Sequence, residues 1–568
     1  MLKKLLVSLL SALLCMSVVA EPESQSNENQ NETDVKIDEN GDVFVAPLKY
    51  HITSDSTAEV IKDYFYYKKL KSVVIPPEIL VDDHVYSVTS IGNDAFRGCS
   101  GLRSIEIPSS VTIIGEKAFS GCSGLTSIEI PSSVTSIEYG AFEDCSGLTS
   151  IEIPSSVTSI EYGAFWGCSD MTHIDIPSSV TSIGGRAFYR CFGLTNIEIP
   201  SSVTRIGHEA FYRCIGLTNI EIPPSVTSIG YEAFSYCSGL TSINVATDNA
   251  IYSSENGVLY DKNRTKLICV PGGKKGKFVV PSGVTRIEDD AFSGCSGLTS
   301  IKIPSGVTSI GNEAFSGCRG LRSIEIPSGV TSIGDGAFNG CWKLTNIEIP
   351  SGVTSIDNYS FPNCRGLKSI KIPSSVTYIG NGEFSDCGNL KNIEVESGNS
   401  VYLSENGILY DKNKTKLICV PRGKTGKLVI PSGVASIGDN AFMWCRRLKN
   451  IEIPSSVTSI GDRTFWKCWS LMHIEIPSGV TSIGYEAFSE CGELKNIEIP
   501  SGVTSIGDGA FSGCDGLTHI EIPSGVTSIG DNAFMWCKNL EIVIDNSKEN
   551  VKVGSDAFMG CKSVKFLK

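Results

Sequence analysis

The sequence predicts a β-rich solenoid of about twenty coils, a single elongated domain of short parallel strands joined by 3₁₀ or other short helical turns. Three observations predict it. One word recurs at a fixed step of 23 residues and closes on cysteine at Cys99, Cys122, Cys145, Cys168, Cys191, Cys214 and Cys237. Its apolar residues alternate over a few positions and never hold the period of a long helix. Proline and glycine punctuate nearly every copy. A chain of 568 residues would otherwise suggest several globular domains. A repeat of this length instead marks stacked coils, each burying its apolar side only against its neighbours.

The word between Cys122 and Cys145 shows how one coil is built. Ile128-Glu129-Ile130 alternates, so it is a short strand with the isoleucines inward and Glu129 outward. Pro131 ends the strand where a missing N–H does least harm. Val134 to Ile137 forms a second extended edge, and the glycine that usually follows permits the bend into a tight turn at Ala141-Phe142. Glu138, Glu161, Glu288 and Asp357 replace that glycine in four copies, so a left-handed backbone there is not obligatory. At ~4.8 Å per coil, twenty coils extend about 100 Å.

Residues 1–20 read as a signal peptide: Lys3 and Lys4 precede an apolar run from Leu5 to Val19, and Val18-Val19-Ala20 offers a cleavage site. That run is too short for a confident membrane span, and no second one follows, so no membrane insertion is expected. Residues 21–42 are polar and acidic, and are expected to form a disordered leader. Residues 43–84 form an N-terminal cap with short strands at Val43 to Val45, Tyr64 to Tyr67 and Val73 to Ile75. Repeat blocks then occupy 85–245, 282–395 and 432–545, and a C-terminal cap occupies 546–568. Two inserted units, 246–281 and 396–431, share nearly the same text from Ser254 to Pro271 and from Ser404 to Pro421, and each reads as a hairpin around Asp-Lys-Asn.

The words Leu-x-x-Ile-x-Ile-Pro and Val-x-x-Ile-Gly-x-x-Ala-Phe-x-x-Cys, with the inserted Asn-Gly-Val-Leu-Tyr-Asp-Lys-Asn text, resemble the BspA-like family of leucine-rich repeat proteins over roughly residues 43–568. The resemblance implies a solenoid with a parallel sheet along one face, on an exported surface protein that adheres to extracellular proteins or other cells. It supplies no catalytic residues. The asparagine of better-known leucine-rich repeats is missing, and the serine at the corresponding bend is expected to satisfy backbone polar atoms through its hydroxyl.

Two surface columns are candidate binding faces. The outward strand position reads Glu106, Glu129, Glu152, Asp175, Glu198 and Glu221 in successive coils. Two such charges ~4.8 Å apart repel by roughly 1 kcal/mol even in water, so this ribbon is either a site for a basic segment or Ca²⁺, or a solvated face copied with its repeat. Beside the Phe-to-Cys corner stand Trp166, Tyr189, Arg190, Tyr212, Arg213 and Tyr236, with Trp444, Trp466, Trp469 and Trp536 further along. Aromatics with arginine anchor protein interfaces, or here the rings lie flat over the gaps between coils. Both pairs of readings stay open.

Eighteen cysteines share one position of the repeat, each with identical neighbours above and below, and read as buried apolar fillers rather than disulfides. Cys269 and Cys419 fall out of that pattern and are expected to be exposed. His173, His473 and His519 lie in scattered coils without fixed partners, and Cys-x-x-Cys is absent, so no metal site is assigned. Asn31, Asn263, Asn358 and Asn413 match glycosylation acceptors, which matter only in a eukaryotic source. No cofactor motif or separated acid–base pair is found, so no cofactor and no enzyme activity are expected. The net charge of −14 argues against nucleic acid as partner. The expectation is therefore an exported protein that binds extracellular or cell-surface proteins. The alternatives are a passive surface spacer and, behind it, an enzyme with its site in the inserted hairpins.

Overall fold

A computed structural model describes residues 35–63, 66–357, 359–380 and 382–568. The signal segment, most of the leader, Tyr64, Phe65 and the acceptors Asn31 and Asn358 lie outside the described residues. The described residues form β-solenoid coils, about 21 turns with almost no helix. The chain divides into two compact units, Met1–Lys274 with Phe292–Cys295, and Lys275–Ala291 with Ser296–Lys568.

In the first unit each coil repeats three hydrogen-bonded contacts to the next, and the sequence explains each. The Val-Thr-Ser-Ile edge gives two-residue parallel strands such as Ser159–Ile160, Ser182–Ile183 and Arg205–Ile206, paired serine to serine or arginine and isoleucine to isoleucine. Their isoleucines are buried and the alternate residues face out, as a period of two requires. At the opposite corner the phenylalanine N–H donates to the alanine carbonyl one coil on, Phe119 to Ala141 at 2.8 Å and Phe142 to Ala164 at 2.8 Å. The third contact is the outward-acid strand, which thins to isolated parallel bridges at Glu129, Glu152 and Asp175. The corners are hydrogen-bonded turns, closed by bonds such as Cys122 N–H to the Phe119 carbonyl at 3.0 Å; the one described helix is the 3₁₀ turn Tyr67–Lys69. A strand was expected at Tyr64 to Tyr67, but Tyr67 starts that helix instead.

Phenylalanines line up into a buried file. Phe96, Phe119, Phe142, Phe165, Phe188 and Phe211 stack at centroid separations of 5.3 to 5.7 Å. Stacking successive rings excludes water from the widest part of the coil, and aromatic contacts of this kind add ~0.5–1.5 kcal/mol beyond area burial. The cap completes the file, because the Tyr67 ring stacks on Phe96 at 5.2 Å while its hydroxyl accepts the Lys49 amide at 2.6 Å. Around Tyr67 the cap is an antiparallel meander of Val35–Ile37, Val43–Val45, Leu48–Ile52 and Thr57–Ile61, whose last strand pairs parallel with His84–Ile91. Val35–Ile37 belongs to the stretch expected to be a disordered leader; its alternation with Val43–Val45 recruits it into the sheet.

The serine of the bend has the expected role: Ser133, Ser179 and Ser202 each donate to the valine carbonyl of the preceding coil at 2.6 Å. The bend glycine is not left-handed, in keeping with its replacement by an acid in four coils. Gly184, Gly207 and Gly230 have no positive φ. Instead a Cβ on Gly207 would lie 2.3 Å from the Gly185 backbone nitrogen, so glycine permits close stacking of coils. Left-handed backbone occurs two places further on, at Arg186, Glu209 and Glu232, and again just before the cysteine.

The first inserted unit is three antiparallel strands, Tyr252–Glu255, Val258–Asp261 and Lys266–Cys269, rather than a lone hairpin. Asn249 fixes it. This side chain is wholly buried, donates to the carbonyls of Pro223 (2.9 Å) and Val226 (3.0 Å), and accepts the amides of Ile251 (2.9 Å) and Tyr252 (2.8 Å).

The second unit repeats the plan. Its phenylalanine file includes Phe465, Phe488, Phe511 and Phe534 at 5.0 to 5.2 Å. The second inserted unit is Tyr402–Glu405, Ile408–Asp411 and Lys416–Cys419, fixed by Asn399 in the same way, and Lys416–Cys419 rejoins the coils through Ser436–Ile437. The last residues continue the stack, Lys552–Val553 pairing with Ser528–Ile529 and Ser563–Phe566 with Glu541–Ile544.

Candidate functional site

The structure draws both candidate columns together as columns. Glu106, Glu129, Glu152, Asp175, Glu198 and Glu221 are all exposed, and Glu129, Glu152 and Asp175 face one another as direct neighbours along the stack. Among the described residues of the first unit, His173 lies 2.8 Å from Asp175. In the second unit lysines enter the same face, Lys371 at 2.7 Å from Glu396 and Lys427 beside Glu452. Exposed pairs of this sort contribute little to stability. The acidic face thus carries regular charge, and in the second unit a cavity of about 330 Å³ opens on it, lined by His473, Glu475, Asn496 and Glu498.

The aromatic column is more constrained. Trp166 and Tyr189 have ring centroids 4.6 Å apart, Tyr189 and Tyr212 stack at 4.9 Å and 5°, and Tyr212 and Tyr236 lie at 5.3 Å. Guanidinium groups alternate with the rings. Arg186 sits 5.2 Å from the Trp166 centroid, Arg190 5.3 Å from Tyr189, and Arg213 5.6 Å from Tyr212 and 5.4 Å from Tyr236. Cation–π contacts at partly exposed sites are worth ~0.5–1 kcal/mol each. The rings are half-buried over the junctions of successive coils, each with an edge open to solvent.

Backbone conformation singles out the same residues. The position before the cysteine has positive φ throughout, and in many coils glycine fills it, as at Gly98, Gly121 and Gly167. Arg190 (φ 59), Arg213 (φ 59) and Tyr236 (φ 60) occupy it here. An L-residue in this region costs ~1–2 kcal/mol relative to glycine, so these three consecutive coils accept strain, as do the coils of Asp144, Asn363, Asp386 and Glu490. The second unit does so again with Trp444 (φ 66), Lys467 (φ 60) and Trp536 (φ 63). Arg446 lies 4.2 Å from the Trp444 centroid and 4.4 Å from Trp469, and Lys467 lies 4.5 Å from Trp466.

Sequence reasoning missed Arg186 and Glu209. Arg186 grips Glu209 through Nε at 2.6 Å and Nη2 at 3.0 Å, which braces the guanidinium beneath Trp166. Both stand before the coil's alanine, 23 residues apart, and that spacing was the available signal. Arg463 repeats the arrangement with Glu486 at 2.7 Å.

The cysteine column is buried as expected except at the half-buried Cys561, and its thiols also donate. Cys122, Cys145 and Cys191 each direct Sγ–H at the phenylalanine carbonyl of the preceding coil at 3.1 Å. Burial pushes the Cys145 and Cys237 thiols up to about 12. Cys269 and Cys419, expected to be exposed, are half-buried. Leu267 and Leu417 take the inward positions of those strands, leaving the thiols partly covered.

Short parallel strands, phenylalanine and cysteine files and a repeat of 23 residues define a leucine-rich-repeat type of solenoid. The chain belongs to the family described as BspA type leucine rich repeat region (6 copies), whose model matches residues 58–194, 181–273, 277–413 and 423–541. It is similar to a leucine rich cell surface protein from Faecalibacterium prausnitzii, with 36% identity and a TM-score of 0.55, over 63% of this chain and 95% of that one. A leucine-rich repeat protein from Bacteroides ovatus matches at 27% identity over 84% of this chain and 94% of that one, with a TM-score of 0.28. No curated protein matches. Among the described residues no helix is long and apolar enough to cross a membrane.

Proposed function

We propose that the chain is an exported surface protein that binds extracellular or cell-surface proteins through its aromatic–guanidinium columns. The observation that carries this reading is the strained backbone at Arg190, Arg213, Tyr236, Trp444, Lys467 and Trp536. Strain retained against a freely available glycine points to selection for the side chain, and five of the ten non-glycine residues at this position are arginine, tyrosine or tryptophan, the types that anchor interfaces. Repetition along the stack supplies many weak contacts, which multivalency turns into useful affinity. The similar cell surface protein of Faecalibacterium prausnitzii supports the location. The acidic ribbon is the second reading, favoured by its regular exposure and by the cavity beside Glu475 and Glu498, and would select basic segments.

The test is capture of extracellular-matrix and cell-surface proteins by the purified full chain and by two variants. One carries Tyr189→Ala, Arg190→Gly, Tyr212→Ala and Arg213→Gly; the other carries Glu129→Lys, Glu152→Lys and Asp175→Lys. The first variant should lose at least ten-fold in affinity and the second should keep it. The reverse pattern would establish the acidic ribbon, and capture of nothing by the native chain would leave a passive spacer.

A further inference from the structure

The two inserted units carry nearly the same text, and among their buried positions one changes from no side chain to a charged one. Pro271-Gly272-Gly273 in the first reads Pro421-Arg422-Gly423 in the second. In the first, a Cβ on Gly272 would lie 2.6 Å from the Cys237 carbonyl oxygen, so no side chain fits. In the second, Arg422 is accommodated and is 3% exposed. A second departure lies beside it. The position before the file phenylalanine is alanine in nearly every coil, serine at Ser360 and threonine at Thr464; Glu383 is the one charged residue there. Both side chains line a single cavity of about 220 Å³ together with Tyr402, Lys416, Cys419 and Asp439.

The donors of Arg422 can be counted. Nη1 donates to the carbonyls of Val420 (2.8 Å) and Ala441 (3.2 Å), and Nη2 to that of Asn440 (3.2 Å). Nε–H has no acceptor, and one Nη2 proton is left over. Nε–H and Nη2 share one edge of the guanidinium, the edge whose two donors match the two oxygens of a carboxylate. Elsewhere in this chain that edge is used in that way, by Arg186 on Glu209. Among the described residues no carboxylate pairs with Arg422. The Glu383 oxygens are engaged by the amides of Tyr359 (3.2 Å) and Ser360 (3.0 Å), and burial pushes its pKa up to about 9, so it supplies no counter-charge at neutral pH. Asp439, exposed at the rim, accepts the Asp462 amide at 2.9 Å. A buried cation with an unspent fork and no counter-ion is costly unless something else completes it.

We propose that this cavity binds a small carboxylate, gripped by the Nε–Nη2 edge of Arg422 and drawn in by the exposed ammonium of Lys416. The site is separate from the aromatic columns, and its failure would leave their assignment untouched.

Cys419 makes the proposal measurable, because its Sγ lies 3.9 Å from Arg422 Nη1. The native full chain is treated in parallel with iodoacetate, which carries a carboxylate, and with neutral iodoacetamide. Labelling of Cys419 and of its counterpart Cys269, which has glycine in place of the arginine, is followed by peptide mass spectrometry. The iodoacetate-to-iodoacetamide rate ratio is expected to be at least ten-fold higher at Cys419 than at Cys269. Arg422→Gly, the first unit's own residue, should bring it down to the Cys269 value. Arg422→Lys, which keeps the charge and loses the fork, should fall with it, and excess acetate should slow the wild type alone. Equal ratios at the two cysteines, an unchanged ratio in either variant, or protection by inorganic phosphate but not by acetate would overturn the proposal. If neither thiol is labelled, thermal unfolding decides: acetate against chloride at equal ionic strength should raise the Tm of the wild type and not that of Arg422→Gly, and equal shifts would overturn it.

Discussion

Phe488→Ala removes one ring from the middle of the second unit's phenylalanine file. The ring is fully buried between Phe465 at 5.0 Å and Phe511 at 5.2 Å, inclined by 17° and 1°. A buried phenylalanine side chain withdraws ~150–250 Å² from water, which at ~25 cal/mol per Å² amounts to about 4–6 kcal/mol. Measured truncations of this kind cost ~3–5 kcal/mol, because part of the site collapses. The lost stacking with two neighbours places this case at the upper end, about 5 kcal/mol. Because each coil touches only its neighbours, the loss should be local. Urea unfolding gives the total, and native-state hydrogen exchange gives the place. The amides of Phe465 and residue 488, which donate to the Ala487 and Ala510 carbonyls at 2.7 Å, should exchange orders of magnitude faster, while those of the first unit should not change. A cost below ~1 kcal/mol, or acceleration spread evenly along the chain, would refute a core built from stacked coils.

Asn249→Ala should cost about 3 kcal/mol, since it strands two buried carbonyls and two amides. Limited proteolysis should then cut within 250–271, and an intact inserted unit would contradict its role as anchor. Alkali should destabilise the solenoid, because burial holds Cys145 and Cys237 up to about 12 and Cys445 up to about 11. A thiol ionises near pH ~8.5 in the unfolded chain, so above that pH the unfolded state binds fewer protons and stability falls by ~1.4 kcal/mol per pH unit per thiol until the folded value is reached. A urea midpoint equal at pH 8 and pH 10 would contradict the buried ladder. Glu383, raised from 4.5 to about 9, contributes stability that is complete below 4.5 and declines as pH rises through 9. Glu383→Gln should therefore gain on the wild type between pH 5 and pH 9, and parallel curves would show that the carboxyl is ionised in the fold.

The coil was legible because its chemistry is periodic. Ile128, Ile130, Val134, Ile137, Phe142 and Cys145 all point inward as their spacing demands. The backbone geometry was not. The acids that replace the bend glycine in four coils show that it need not be left-handed, but its role at Gly207, to admit the neighbouring coil, depends on a distance that no single coil contains. The left-handed sites proper, such as Lys117 and Arg213, carry residues that give no sign of it. Asn249 and Asn399 were hidden for a related reason: a polar residue in a turn reads as solvated until four backbone partners close around it. Of the candidate faces, the columns themselves followed from the step of 23, while the braces Arg186 and Glu209 needed the stacking of one coil on the next.

Hydroxyl-radical footprinting of the chain bound to whichever protein it captures tests the binding account most directly, because the rings are the reactive groups. The account predicts that oxidation of Trp166, Tyr189, Tyr212 and Tyr236, and of Trp444 and Trp466, falls at least several-fold on binding while residues beside Glu129, Glu152 and Asp175 keep their rates. Unchanged oxidation of those rings in a saturated complex would contradict it.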